Sequence, residues 1–268
     1  MQTPVFVRQL FFRQCLWLGL FLLIGKSVFS QTETSRSAVN RWVVAADMGY
    51  VFSNDRDEYF SNLHATGNGI AAGVLVRYKI GKARTEIDFR YNSADLRINA
   101  YKNFAVQCTG FSGSLLSLWD IKAIRSKSLS YAFGPFLNFF HTDRVALGLI
   151  NYNSSFESAI SLGIANEFVV LFGKKGDYIL KERLNFSLAS FYRRPGFVSS
   201  RSAESLSGEW KAATLDRCRL FRNELNLSRK WKQHSLGLGY AWNYYRINND
   251  RGVVNASHCA QLIYSVSL

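Results

Sequence analysis

Apolar and polar residues alternate with a period of two, again and again, along most of this chain. In 84–92, Thr85, Ile87, Phe89 and Tyr91 oppose Arg84, Glu86, Asp88, Arg90 and Asn92. In 234–247, Leu236, Leu238, Tyr240, Trp242 and Tyr244 are backed by Ser235, Gly237, Gly239, Ala241 and Asn243. Successive side chains of a strand point to opposite faces, so this period predicts strands with one greasy and one polar side.

The pattern predicts about ten strands, at 41–53, 67–80, 84–98, 103–120, 127–140, 156–172, 178–192, 214–228, 234–247 and 256–268, with eight or twelve as alternatives. Globular strands average about five or six residues. Several of these exceed the roughly 9–11 residues that a tilted strand needs to cross a bilayer. Short basic links near 81–83, 121–126, 173–177 and 229–233 alternate with longer polar segments near 54–66, 141–155, 193–213 and 248–255. Long strands joined by alternating tight turns and longer loops imply a closed, all-β, antiparallel up-and-down transmembrane barrel, with an even strand number placing all long segments on one side.

The last stretch puts Ala260, Leu262, Tyr264, Val266 and Leu268 on one face. It resembles the closing strand of the Gram-negative outer-membrane β-barrel class, although Leu268 stands where that class usually ends in Phe. The resemblance covers residues 31–268 as architecture and names no functional family. It implies location in the cell outer membrane and insertion by the barrel-assembly machinery.

Composition alone points elsewhere. Mean hydropathy is -0.06 and the formal net charge is +14, which would suit a soluble basic protein. A membrane barrel averages to the same value because its two faces cancel. Residues 1–30 read as a cleaved export signal: Arg8 and Arg13, a short apolar run from Leu16 to Ile24, then Val28-Phe29-Ser30. That run is too short to span a bilayer as a helix. For an exported basic chain, anionic lipid and lipopolysaccharide are better partners than nucleic acid. Cys108, Cys218 and Cys259 remain after cleavage, in no metal-binding or redox spacing.

The alternation leaves open which face points outward. A soluble lipocalin-like barrel would bury the apolar side. Here the polar side is rich in small residues, including Ala71, Gly73, Ser161, Gly163, Ala165 and Ser187, and carries charges of both signs. Both features suit a narrow lumen. Asp47, Arg77, Glu86, Asp88, Arg90, Glu167, Lys181, Arg183, Arg222 and Glu224 are therefore expected to form an ion-paired network inside it, since buried charges must pair. Asn166, Glu182 and Asn223 fall on the apolar side, and a change of parity within 103–120 calls for a β-bulge. Trp42, Tyr50, Tyr78, Tyr91, Trp119, Tyr178, Tyr192, Trp242 and Tyr244 are expected in two interfacial girdles.

Arg193, Arg194, Arg201, Lys211, Arg217 and Arg219 cluster near one presumed rim and suggest lipopolysaccharide phosphates as a ligand. His141 and Asp143, with Ser154, Ser155 and Glu157 across the next loop, are weak candidates for a rim catalytic site. No cofactor motif or metal-ligand cluster is present in the sequence. The first functional reading is a monomeric, non-enzymatic surface or envelope protein with a mostly occluded lumen. Alternatives are an outer-leaflet hydrolase of lipid A or phospholipid, and a small diffusion channel.

Overall fold

A computed structural model describes residues 42–58, 64–80, 83–98, 105–121, 128–147, 154–173, 176–194, 208–248 and 252–268. The export signal expected at residues 1–30 and Arg201 lie outside these. The described strands are β1 (Trp42–Asp57), β2 (Ala65–Ile80), β3 (Ala83–Arg97), β4 (Ala105–Asp120), β5 (Leu129–Leu147), β6 (Ser154–Phe172), β7 (Tyr178–Arg193), β8 (Trp210–Thr214), β9 (Cys218–Trp231), β10 (His234–Ile247) and β11 (Val253–Ser267). Each pairs antiparallel with its neighbour, and β1 closes on β11. The strand expected at 214–228 is β9, and the short β8 is an additional strand that lies almost wholly in the segment expected as loop at 193–213. β8 pairs with the far end of β7 and β9 with its near end, and Leu215–Arg217 turn out between them. Together they occupy one place in the wall, which gives a closed ten-stranded barrel.

The walls face as the alternation predicts. Met48 (71% exposed), Leu238 (67%), Phe89 and Ile70 stand on the outside, whereas Glu86, Arg144, Glu157 and Ser161 are fully buried. Along β1 the outward side is apolar from Trp42 through Val44, Ala46, Met48 and Tyr50 to Phe52, and then becomes Asn54 and Arg56. That band matches the roughly 9–11 residues of a hydrocarbon crossing. It begins at the end where the tight links lie. Gly173 and Gly176 turn one of these links with positive φ (92° and 65°), a conformation that favours glycine.

At the other end the strands outrun the apolar band. β1 continues to Asp57, β5 to Leu147 and β6 starts at Ser154, so much of the length expected as loop at 54–66 and 141–155 is paired strand. Within β4 the register to β3 is unbroken from Ala83↔Trp119 to Arg97↔Ala105, so among the described residues of 103–120 the expected bulge is absent. Val106, Cys108, Leu116 and Leu118 face inward instead, in two apolar clusters with residues such as Leu96 and Phe136. The change of parity is real in hydropathy and absent in geometry, because this part of the lumen is itself apolar.

The bulge lies elsewhere, between β6 and β7. The pairing steps from Leu162↔Ala189 to Gly163↔Ser187, leaving Leu188 as the extra residue. Beyond it the parity of β7 reverses, and Tyr192, expected in a girdle, is buried inside against Phe140, Cys218 and Ile247. Of the polar residues on the outer face, Asn166 accepts a hydrogen bond from the Tyr131 hydroxyl (2.6 Å), which lowers the cost of placing it there.

Gly163 sits at the register step. A Cβ at this position would lie 2.2 Å from the Phe186 carbonyl oxygen and 2.6 Å from the Phe136 ring. Gly163→Val should therefore cost about 1–3 kcal/mol by overpacking. The expected observation is a lower midpoint for loss of the compact, fast-migrating form on heating in detergent.

Candidate functional site

Each strand delivers its inward residues to a shared lumen, so side chains far apart in sequence meet across it. Near the end with the tight links, Arg183 of β7 donates to Glu86 of β3 and Glu167 of β6, each at 2.5 Å. Arg84 donates to Glu167 (2.5 Å) and Arg77 to Glu86 (2.7 Å). Lys181 stands on the same inner face one step nearer the turn. In the next layer, Arg90 bridges Asp88 (3.0 Å), Asp47 (3.5 Å) and Glu224 (3.5 Å), and donates to Gln261 (3.3 Å). Arg222 pairs with Glu224 and lies 3.7 Å from Asp88.

A third layer closes the other end, and sequence reasoning missed it. The guanidinium of Arg144 (β5) donates to both oxygens of Asp55 (β1), at 2.5 and 2.9 Å, and to Glu157 (β6). It also donates to the Tyr245 hydroxyl (2.7 Å), which in turn donates to Glu157. Asp57 accepts from Arg194 and from the Ser155 hydroxyl (2.7 Å), while Asn255 donates to Asp55 (3.0 Å). Asp55, Asp57, Arg144 and Glu157 lie in the strand extensions beyond the apolar band. There the outward neighbours are polar in β1 (Asn54 and Arg56) and mixed in β5 and β6 (Asp143, Val145, Phe156 and Ser158), so no clean alternation flags the strand.

Among the described residues of these layers eight cations (Arg77, Arg84, Arg90, Arg144, Lys181, Arg183, Arg194 and Arg222) face eight acids (Asp47, Asp55, Asp57, Glu86, Asp88, Glu157, Glu167 and Glu224). The balance matters because burial makes each unpaired charge costly, whereas planar guanidinium forks satisfy several carboxylate oxygens at once. A cavity of about 130 Å³ separates the second layer from the third, lined by residues including Asn92, Asn138, Asn243 and Ser257.

The rim residues divide. Arg194 does not project outward as expected but is buried inside on Asp57, because it follows the reversed parity of β7. Lys211 is exposed and registers opposite the inward Tyr192, so it belongs to the inner side of the rim. Arg193, Arg217 and Arg219 stay outside. Arg193 lies 5.4 Å from the centre of the Phe156 ring and donates to the Gly208 carbonyl (2.9 Å). Arg219 donates to the Leu215 carbonyl (2.6 Å), and Arg217 is exposed beside Asp216.

His141 and Asp143 are on the outer wall, not in the lumen. Their partner is neither Ser154, Ser155 nor Glu157. His141 Nδ1 is 2.7 Å from the Ser158 hydroxyl and its Nε2 is 3.1 Å from an Asp143 oxygen. Cys108, Cys218 and Cys259 are buried free thiols. Among the described residues no three His, Cys, Asp or Glu side chains are grouped to hold a metal.

No protein-family model matches the chain, and no curated protein matches it in sequence. Its likeness is to solved structures. It is similar to the outer membrane protease OmpT from Escherichia coli, at 7% identity over 88% of this chain and 99% of that one, with a TM-score of 0.57. The translocator domain of the autotransporter NalP from Neisseria meningitidis is 10% identical over 95% and 96%, with a TM-score of 0.44. Neisserial surface protein A is 12% identical over 87% and 100%, with a TM-score of 0.37. At these identities the likeness concerns the fold. The chain has the closed antiparallel architecture of outer-membrane β-barrels, and that architecture points to an outer membrane.

Proposed function

We propose that this chain is an integral outer-membrane protein that does not conduct, and that its working surfaces are the outer wall and the outer rim. The observation that carries this reading is Arg144. It is fully buried and spans the lumen from β5 to Asp55 on β1 and Glu157 on β6. With Arg194 on Asp57 it forms a bar across the end that faces outward once the tight links are placed in the periplasm. Two further charged layers lie behind it, so a hydrated ion would have to break buried pairs in succession. A passive channel is disfavoured on that ground. The protease activity of OmpT is not carried over, because that likeness is one of fold. Residues 1–30 serve in this reading as the export signal.

The basic outer rim favours a lipid partner. Arg217 and Arg219, exposed around the turn between β8 and β9, present guanidinium groups at the level where lipopolysaccharide phosphates would lie. Arg193 stands on the same outer side.

Three outcomes are expected. In planar bilayers the refolded protein should give no stepwise conductance; regular single-channel steps would overturn the closed-lumen reading. Arg144→Ala should lower unfolding stability by about 3–5 kcal/mol in a detergent-based denaturant titration, because Asp55 and Glu157 are left as buried like charges without a cationic partner. The double variant Arg217→Ala, Arg219→Ala should bind lipopolysaccharide more weakly, with a smaller dependence on salt; unaltered binding would remove the rim from the proposal.

A further inference from the structure

On the outer wall, β4 to β8 place Phe111, His141, Ser158, Arg193 and Trp210 in one cross-strand row. Below that row the outward side is apolar: Phe139 pairs with Ile160, and Ile160 with Phe191. Above it stand Thr109 opposite Asp143, and Asp143 opposite Phe156. The row therefore marks the level at which the wall passes from hydrocarbon to headgroup. Counting from Leu129 at the turn end, the roughly 9–11 residues of a crossing end near Phe139, just short of His141.

Within this row the imidazole of His141 joins a hydroxyl to a carboxylate. With its proton on Nε2, the ring donates to Asp143 (3.1 Å) and its Nδ1 accepts the Ser158 hydroxyl proton (2.7 Å). The Phe111 ring, centred 5.1 Å away, flanks the imidazole, and Phe156 lies on its other side at 6.0 Å. A nucleophile, a base and a group that orients the base thus stand in hydrogen-bonding sequence. A solvated face would not need this order. A lumen-facing site would meet small solutes, whereas this one lies at the junction of acyl chain and headgroup, with the Ser158 hydroxyl covered beneath its neighbours on the wall.

We infer that Ser158, His141 and Asp143 form an esterase site on the outer wall, acting on acyl esters of outer-leaflet lipids. The inference rests on the reading that the strand extensions face outward. The Ser158 oxygen attacks the ester carbonyl carbon while His141 Nδ1 takes the hydroxyl proton. The bond from that carbon to the alcohol oxygen breaks, and the leaving alkoxide receives the proton from His141. This leaves an acyl ester on Ser158. Water then attacks that ester with His141 again as base; the carbon–Ser158 oxygen bond breaks, the oxygen regains its proton, and a free fatty acid departs. Arg193, adjacent to Ser158 in the row, is placed to attract an anionic headgroup. Phe139, Ile160 and Phe191 offer an apolar track for the acyl chain.

The test uses the refolded full barrel with two substrates in separate arms, phosphatidylethanolamine vesicles and purified lipopolysaccharide, and measures fatty acid release by mass spectrometry. Release in either arm is expected, and the productive arm identifies the lipid. Ser158→Ala and His141→Ala should each lower the rate by at least about a hundredfold, with heat-modifiable migration retained. His258→Ala, which removes a wall histidine hydrogen-bonded to the Tyr240 hydroxyl (2.5 Å) and stacked on Trp242, away from the row, should leave the rate unchanged. Absence of release in both arms from a folded barrel, or undiminished release from Ser158→Ala, would overturn the site. Conductance is read independently, so failure here and failure of the closed-lumen reading are distinguishable.

Discussion

Backbone closure is the constraint from which the rest follows. Hydrocarbon offers no partner to a peptide N–H or C=O, so a strand wall can cross a bilayer only if it has no edge. In this chain the edge is removed by pairing β1 with β11 from Val43↔Ser267 to Asp57↔Val253. Once the sheet closes, each strand has one side in lipid and one in a narrow axis. The side chains must then sort themselves by parity, and a single extra residue reverses the sorting.

That dependence is visible at Leu188. The bulge leaves Phe186 and Leu188 outside below it and Phe191 outside above it, while Tyr192 and Arg194 turn inward. The hydrophobic cluster around Tyr192 and the pairing of Arg194 with Asp57 both follow from this one step. Without it, Phe191 would fill the lumen and Arg194 would point outward, where sequence reasoning had placed it.

The charged lumen solves a packing problem and a solvation problem together. A ten-stranded barrel encloses too little space for bulk water and too much for small residues alone. Long guanidinium side chains fill it, and carboxylates from facing strands neutralise them. The proposed function is accordingly displaced to the wall. The hydrogen-bonded Ser158, His141 and Asp143 belong to the outer wall, just beyond the apolar band.

The sequence by itself determined the alternation and the long antiparallel strands of a barrel, because period two and strand length are local properties; the strand number of ten, against eight or twelve, was decided by the pairing. It also supplied the ten inner charges named from parity, from Asp47 to Glu224, since these lie where the outward face is still apolar. Only the tertiary structure decided the ends of β1, β5 and β6. Beyond the apolar band the two faces mix polar and apolar residues, so Asp55, Asp57, Arg144 and Glu157 look like loop residues until cross-strand pairing is known. Likewise His141 and Asp143 were legible as an isolated pair, but Ser158 was not. Its partnership depends on the register between β5 and β6, a long-range pairing that no local pattern encodes.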